Sequence, residues 1–487
     1  MPIPWSEWTP LAFARAEAEK KPILLSLVTA WSDECAVMDQ TTYEHPHVVS
    51  LIDTRFLPIR VDADRRPDLN ERYNLGGWPT TVCLTHAGDL LSGSTYLGAD
   101  QMIEMLQHVA DACRDRGPEI SARAAAVRAL RDGRTAGLPR PTGAGQDSST
   151  AEYFAALLIE RFDPVHGGFG ACPKLPHPYA LLFALSLAGD ADLSPIAEMT
   201  LDRMGALWDP AAGGFYRYAD AADWSRAGAE KTLEDNAALL HVYVEAAVRG
   251  GSRFRDRAAA IVQWVRSAMA DREDGGFYNV QTATGLDKTM YVDRNAMMVG
   301  AFIRAAALFD DIWLRDFALK SLEAVIVPAY KPGDGVAHVA AEGSAAEVRG
   351  LLTDQVHVAS ALIWAHAATG QLPYSMLASE LMAFAVRKMW DEGTGSFRDR
   401  APSEDPVVPL ELNCLAACVL DRLAVLKDDA ASHDRARVIL RSLSARFREL
   451  DLFGAPYALA FREIVDRRPP AGLELAKVDW QLPAEEL

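Results

Sequence analysis

Residues 271–298, DREDGGFYNVQTATGLDKTMYVDRNAMM, decide the fold of most of this 487-residue chain. The segment starts with a turn of the form Asp-x-x-x-Gly-Gly-Phe, continues through a polar stretch and ends in an apolar run. Glycine is the residue that most easily adopts the positive φ of a tight turn. A helix that is apolar nearly all round is buried in a core. The segment therefore predicts a turn that leads into a core helix.

The same turn recurs along the chain. Similar turns occupy residues 163–169, 209–215 and 391–397, and Gly333-Asp-Gly-Val336 fills the gap between the third and fourth. Polar residues near the start of the following helices lie at intervals of 59, 59, 60 and 58 residues: His177, Asn236, Asn295, Gln355 and Asn413. This repeat length fits a helical hairpin with one outer helix, one inner helix and loops.

A shortened sixth unit is indicated by Pro456-Tyr-Ala-Leu459, which matches Pro178-Tyr-Ala-Leu181. Six hairpins with apolar inner helices predict a closed all-α (α/α)6 toroid, because an open solenoid needs polar capping repeats at its ends. We expect the toroid to span residues 149–487. An irregular helical bundle is the alternative.

The first 115 residues follow a different pattern. Apolar strands predicted at 22–29, 56–61 and 80–84 alternate with helices predicted at 9–20 and 100–114. Such alternation predicts an α/β domain over residues 1–115. Residues 116–148 contain a helical piece followed by a segment rich in proline and glycine, which we interpret as a linker.

Composition and charge exclude several classes of protein. The 67 acidic residues outnumber the 49 basic ones and give a net charge of −18, so no basic domain is available for nucleic acid. We find no signal peptide and no apolar run of the roughly 18 residues that a membrane span needs, and we expect a cytoplasmic protein. Six cysteines are too sparse for a disulfide scaffold, and no ligand spacing indicates a metal site or a cofactor.

In a closed toroid the N-termini of the inner helices converge on one mouth, where we expect a small molecule, in particular a carbohydrate, to bind. Glycosidic hydrolysis needs two carboxyl groups, for which Glu230 with Asp235 or Asp293 are our candidates. An epimerase needs a base beside a carbonyl, for which we consider His177, His357 and, less directly, His241. The sequence leaves both reactions open.

Further residues of the long loop and of the helix starts are candidate ligand contacts. Aromatic rings stack on sugars, and charged groups hold hydroxyl or anionic groups. The predicted contacts are Arg217, Tyr218, Trp224, Lys231, Asn236, Asn295 and Asp354. For Asp235, Asp293 and Asp354 a structural role as helix caps or first-turn acids is the alternative.

Several segments together resemble one known family. They are Trp31-Ser-Asp-Glu-Cys35, Gly76-Gly-Trp78-Pro79-Thr80, Pro173-Lys-Leu-Pro176 and Glu230-Lys-Thr-Leu-Glu-Asp235-Asn236. In this order they are similar to the spermatogenesis-associated, thioredoxin-domain family. That family joins a thioredoxin-like domain to a glycosidase-like six-hairpin toroid. The resemblance implies the architecture of both domains but not a substrate.

The thioredoxin-like site departs from the family pattern. The resemblance assigns this site to Trp31, Ser32, Cys35, Trp78 and Pro79, with Pro79 as the cis-proline of thioredoxin folds. The family has Cys-x-x-Cys where this chain has Ser32 and a single cysteine, Cys35. Because one thiol cannot cycle as a dithiol, we do not expect disulfide oxidoreductase activity. The second functional hypothesis is an adaptor that binds a protein partner in this groove, through a mixed disulfide or as an extended peptide, with a non-catalytic toroid.

Overall fold

The computed structural model describes residues 2–136, 147–187, 193–340, 347–402, 407–470 and 473. The chain separates into two compact units, Met1–Leu138 and Pro139–Leu487. The predicted domain limits at residues 115 and 149 stay predictions, and residues 137–146 of the predicted linker lie outside the described part. Within the described residues, no helix is both long enough and apolar enough to cross a bilayer.

The first unit is an α/β structure. Its strands are β1 (Ile23–Val28), β2 (Leu57–Asp62), β3 (Thr80–Leu84) and β4 (Leu90–Ser94). Its helices are α1 (Pro10–Glu19), α2 (Asp33–Thr41), α3 (Pro46–Arg55), α4 (Pro67–Tyr73) and α5 (Ala99–Ala136). Within residues 2–136 the sheet order is β2-β1-β3-β4, with β1 parallel to β2 and the other two pairs antiparallel.

Alternation along β1 explains why helices cover both faces of this sheet. Leu24 packs in one hydrophobic core, whereas Ile23, Leu25 and Leu27 pack in another. Because successive side chains of a strand point to opposite faces, a strand that is apolar at nearly every position must be buried on both sides. The α/β prediction is confirmed.

Two elements of the first unit differ from the prediction. The edge strand β4 was missed, because its sequence LLSGS is partly exposed and contains serine and glycine, which are poor strand formers. Helix α5 continues to Ala136, with one non-helical residue at Arg116 (φ −133°). Pro118 follows this break, in the first turn of the next helical segment, where proline is tolerated.

In the described part of the second unit, six outer helices alternate with six inner helices. The outer helices are α6 (Asp147–Arg161), α8 (Ser194–Arg203), α10 (Ser252–Trp264), α12 (Ile312–Ala329), α14 (Leu372–Met389) and α16 (Ala430–Leu443). The inner helices are α7 (Pro178–Ser186), α9 (Leu233–Val248), α11 (Val292–Phe309), α13 (Leu352–Thr369), α15 (Leu410–Lys427) and α17 (Ala455–Ile464).

The inner helices form a closed ring. Each packs against the next one along the chain, and α17 packs against α7. One hydrophobic core runs through all six hairpins, as expected for inner helices that are buried nearly all round. The (α/α)6 toroid is confirmed, including its shortened sixth unit, and the irregular bundle is excluded.

Short strands lie in the loops of the toroid, where the sequence predicted almost no strands. Within the described residues they form three small sheets. Their strands are β5 (Lys231–Thr232), β6 (Val280–Gln281), β7 (Leu286–Asp287), β8 (Tyr330–Lys331), β9 (Gly335–Val339), β10 (Glu347–Arg349), β11 (Trp390–Asp391) and β12 (Ser396–Phe397). Most have two or three residues, which is too short for a periodic pattern.

Candidate functional site

The repeated turns are held by their first aspartate. In the turn quoted above, Asp271 Oδ1 accepts hydrogen bonds of 3.0 Å from the backbone N–H groups of Glu273 and Asp274. Gly275 and Gly276 adopt φ angles of +91° and +95°, which favour glycine. The turn thereby places the Phe277 side chain in the core, where it is fully buried.

A buried amide clamps four of the five turns to the inner helix that follows. Asn295 Oδ1 accepts from the Phe277 N–H at 2.7 Å, and Nδ2 donates to the carbonyls of Phe277 and Tyr291 at 3.0 and 2.9 Å. The same arrangement is made by Asn236, Gln355 and Asn413. Asn236 and Asn295 were predicted as ligand contacts, but backbone groups occupy their amides, so we assign them a structural role.

Two other predicted ligand contacts also support turns. Lys231, whose side chain is 4% exposed, donates from Nζ to Asp209 Oδ2 at 2.9 Å and to the Gly213 carbonyl at 2.8 Å. Trp224 is buried against Gly168, where an added Cβ would lie 2.4 Å from the indole. Both side chains are engaged within the fold, and their role as ligand contacts stays a prediction.

The long loop brings three predicted residues together at the start of α9. Arg217 Nε lies 3.6 Å from Asp235 Oδ2, and Thr232 caps the helix by accepting from the Asp235 N–H at 3.0 Å. Burial raises the pKa of Glu230, which Arg217 partly opposes. Tyr218 is half-buried and packs on Gly228, within the same loop. Asp235 is thus a first-turn acid with an arginine partner.

Contacts between neighbouring inner helices confirm that their N-termini converge. Thr353 Oγ1 on α13 donates to Asp293 Oδ2 on α11 at 2.9 Å. Arg294 Nε on α11 lies 3.6 Å from Glu234 Oε2 on α9. The Tyr179 hydroxyl on α7 donates at 2.7 Å to Glu411 Oε1 on α15, the inner helix beyond α17. The mouth is therefore lined by a belt of charged and polar side chains.

A buried cluster of Asp293, His338 and Asp354 lies in this belt. His338 Nδ1 is 2.8 Å from Asp354 Oδ1 and 3.8 Å from Asp293 Oδ1. Burial and the neighbouring Asp293 raise the pKa of Asp354 to about 6, against the opposing effect of His338. Burial also acts to raise the pKa of Asp293, but His338 and other cations outweigh it and lower that pKa. The ligand atoms lie within 4.8 Å of one another, which is compatible with a metal ion that the sequence did not predict.

His338 was missed because its turn lacks the repeated aspartate and phenylalanine. It nevertheless occupies a repeated position. It stands two residues after Val336, as Arg217 stands two residues after Phe215. The amide clamps show that Val336 and Phe215 are equivalent. Aligning the turns on this position is the signal that would have found His338.

His177 does not take the place expected of a catalytic base. Its ring packs against Phe453 and Phe169, with centroids 5.3 and 6.2 Å away. Burial lowers the pKa of His177 to about 4. The residue precedes α7 with a φ of +48° and does not line the cavity described below.

This placement predicts a pH dependence of stability. The unfolded chain, with a histidine pKa near 6.5, binds a proton more readily than the folded chain, so stability is lost as pH falls from about 6.5 towards 4. Between pH 7 and pH 5 the wild type is expected to lose about 2 kcal/mol more than His177→Asn, which cannot titrate and tolerates positive φ. Urea denaturation at both pH values measures the difference, and equal losses in the two proteins would contradict it.

The six inner helices enclose one axial cavity. It has about 210 Å³ of space for the centres of water-sized molecules. Every inner helix contributes to the wall, for example through Leu182, His241, Arg304, His357, Glu411 and Leu459. A concave, mostly apolar wall with a few polar groups is typical of a small-molecule site.

Two histidines on this wall are neutral. Burial lowers the pKa of His357, against the opposing effect of Asp293. Burial, reinforced by Arg304 and Arg422, lowers the pKa of His241 well below its usual value. Burial therefore favours the uncharged form of both imidazoles. The sequence predicts His357 and, less directly, His241 as a base.

In the first unit, the predicted thioredoxin-like site is assembled around a buried thiol. Ser32 caps α2 and accepts from the Cys35 N–H at 3.3 Å. Cys35 is buried, and burial raises the pKa of its thiol. The rings of Trp31 and Trp78 meet edge to face at 5.6 Å, and the Trp78–Pro79 peptide bond is cis. A reactive cysteine needs a lowered pKa, so this environment disfavours a nucleophilic role.

The comparisons with known proteins agree with this architecture. Residues 1–131 match the family model Thioredox_DsbH, described as a protein of unknown function, DUF255. Spermatogenesis-associated protein 20 of Rattus norvegicus is 29% identical over 312 residues, which are 58% of this chain and 39% of the relative. The chain is homologous to spermatogenesis-associated protein 20. The Homo sapiens protein is 28% identical over 307 residues, again 58% and 39% of the two chains. The matches thus span about two fifths of these relatives.

Solved structures resemble the toroid in fold. Cellobiose 2-epimerase from Spirochaeta thermophila has a TM-score of 0.56 at 15% identity, over 65% of this chain and 96% of that chain. The GH76 α-mannanase BT2949 of Bacteroides thetaiotaomicron has a TM-score of 0.53 at 10% identity, over 66% and 96%. At these identities the likeness shows the fold alone.

Proposed function

We propose that the toroid binds a sugar or sugar-like small molecule in its axial cavity and moves a proton at a carbon next to a carbonyl group, as an epimerase or isomerase does. The observation that carries this proposal is the pair of histidines, His241 and His357, on the wall of the axial cavity, where burial favours the uncharged form of both. A neutral imidazole can take up the proton that such a reaction releases, and the imidazolium so formed can return the proton to carbon.

The surroundings of His357 support its role as the base. Its helix α13 begins at the mouth, so His357 lies just inside the cavity, below the belt of carboxylates. Asp293 is close enough to act on its pKa and would stabilise the imidazolium formed by proton uptake. Fold neighbours named as a cellobiose 2-epimerase and a D-mannose isomerase support the choice of a sugar.

Hydrolysis is the second candidate, on one observation. Burial raises the pKa of Glu230, a change that suits a general acid. Its predicted partner carboxylates already have contacts within the protein. Asp235 lies beside Arg217 and accepts from the Thr232 hydroxyl. Asp293 accepts from the Thr353 hydroxyl. The adaptor hypothesis stays a prediction, and the buried thiol of Cys35 gives its mixed-disulfide form no support.

Solvent exchange tests the proposed reaction. The full chain is incubated with cellobiose, D-mannose or D-glucose in D2O, and deuterium at carbon 2 is followed by NMR. We expect exchange in the wild type and about a hundredfold loss in His357→Asn, because general-base catalysis contributes roughly 10²–10⁴-fold. His366→Asn, which changes a histidine of the same helix outside the cavity, should retain full exchange.

The same panel separates the two reactions. If Glu230→Gln abolishes release of reducing sugar from cellobiose while His357→Asn does not, hydrolysis replaces epimerisation. If the wild type neither exchanges deuterium nor hydrolyses any sugar that it binds, the catalytic proposal is wrong.

A further inference from the structure

The axial cavity carries positive charge in an acidic protein. The whole chain has a net charge of −18. Among the described residues that line the cavity, however, five are arginines and three are glutamates. A charge of one sign inside an enclosed wall concentrates ligands of the opposite sign. The cavity is therefore suited to an anion even though the protein as a whole would repel one.

The glutamates on the wall already have partners. Glu463 accepts from Arg422 at 2.6 and 2.8 Å, and Glu245 Oε1 lies 2.8 Å from Arg249. Glu411 accepts from the Tyr179 hydroxyl at 2.7 Å. These contacts occupy the three glutamates of the wall, and Arg462 pairs with Asp466 at 3.9 Å.

Arg304 is a further cation of this wall, and the charges of Glu245 and Glu463 act on its pKa without forming an ion pair with it among the described residues. Within the described residues, no side chain or backbone group forms a hydrogen bond or an ion pair with its guanidinium, and its Nε is buried without a partner. The guanidinium carbon lies 3.9 Å from the ring centroid of Trp364. Burial and the nearby Arg422 lower the pKa of Arg304 to about 9, so it is still protonated at pH 7.

Arg304 is only partly exposed, and a charge that is removed from water without a partner is destabilising unless something compensates it. Stacking on Trp364 fixes the plane of the guanidinium and leaves its in-plane N–H groups for another partner. The planar fork of arginine matches carboxylate and phosphate oxygens, which bind it through two parallel hydrogen bonds. A ligand in the cavity can supply those oxygens.

We propose that Arg304 binds the carboxylate or phosphate group of the small molecule that occupies the axial cavity. The substrate class is then an acidic sugar, a part of the inference that rests on the proposed function. The sugar would occupy the cavity beside His241 and His357, with its anionic group at Arg304, on the inner helix that lies between theirs.

Binding to the full chain tests the site. Isothermal titration compares D-glucose, D-glucuronate, D-glucose 6-phosphate and inorganic phosphate. We expect one of the two acidic sugars to bind at least tenfold more tightly than D-glucose, and the choice between them separates a carboxylate from a phosphate. Arg304→Gln should lose at least tenfold for that acidic sugar and leave any binding of D-glucose unchanged. Arg315→Gln removes an equal charge from an exposed outer helix and should behave as wild type.

The outcomes separate this inference from the proposed function. If inorganic phosphate binds and its binding requires Arg304, while no sugar binds, the anion site is supported and the proposed sugar-binding function is contradicted. If D-glucose binds, but the affinities for the acidic sugars and for phosphate are the same in the wild type and in Arg304→Gln, the anion site is contradicted and the proposed sugar-binding function is supported. If none of the four probes distinguishes Arg304→Gln from the wild type, the inference is wrong.

Thermal unfolding without ligand gives a second, independent readout. Arg304 has no hydrogen-bond or ion-pair partner to lose among the described residues, only its stacking on Trp364, so Arg304→Gln should unfold at nearly the same temperature as the wild type. A structural arginine would instead lower the midpoint by several degrees, and that result would contradict the proposal.

Discussion

Replacing Arg422 with methionine is expected to lower the free energy of unfolding by about 3 kcal/mol. Arg422 on α15 holds Glu463 on α17 through two charge-assisted hydrogen bonds of 2.6 and 2.8 Å. The side chains are only 6% and 11% exposed. Burial alone would lower the pKa of Arg422, but Glu463 outweighs it and raises that pKa. The single substitution therefore leaves a buried carboxylate without its direct partner, between the last two helices of the ring.

A double variant separates the loss of a partner from the net value of the pair. Arg422→Met with Glu463→Leu removes both charges and should recover most of the lost stability, because apolar residues can replace a buried ion pair at little cost. Arg315→Met, which breaks an exposed contact to Asp316, should change stability by less than about 0.5 kcal/mol. Urea denaturation measures all three. A double variant as unstable as the single one would refute the argument.

The toroid could be predicted from sequence because each repeat contains the same structural contact at the same position. Asn236, Asn295, Gln355 and Asn413 keep nearly equal spacing since each amide binds the backbone of one turn and the first turn of one inner helix. A buried clamp and a ligand contact are both polar residues near a helix start. The sequence therefore identified the equivalent positions, but it could not distinguish these two roles.

The site was harder to predict because its residues come together only through the tertiary fold. Lys231 was taken for a ligand contact, but it pairs with Asp209 across 22 residues of a loop. Arg304 lies well inside α11, and an inner helix that is apolar nearly all round gives no pattern to show which face lines the axis. His357 was found because it stands near a helix start, where the toroid mouth was expected.

Removing the clamp of Asn295 is expected to have an effect as large as that of breaking the buried ion pair. Asn295→Ala leaves the N–H and carbonyl of Phe277 without their partner in a fully buried place. Each buried unsatisfied group costs roughly 1–3 kcal/mol, so we expect a loss of about 3 kcal/mol in urea denaturation. Gln263→Ala, which changes an exposed amide on outer helix α10, should cost less than about 0.5 kcal/mol.

Asn295→Asp tests the geometry of the clamp with almost no change in shape. One carboxylate oxygen can still accept from the Phe277 N–H, but the other faces the carbonyls of Phe277 and Tyr291, to which Nδ2 donates in the wild type. Burial and these carbonyls disfavour the charged form and raise the folded-state pKa above the unfolded value. The folded variant then binds a proton more readily, so its stability falls as pH rises through the folded pKa. Relative to wild type it should be less destabilised at pH 5 than at pH 8, by about 1 kcal/mol or more. An equal loss at both pH values would mean that the amide does not donate to these carbonyls.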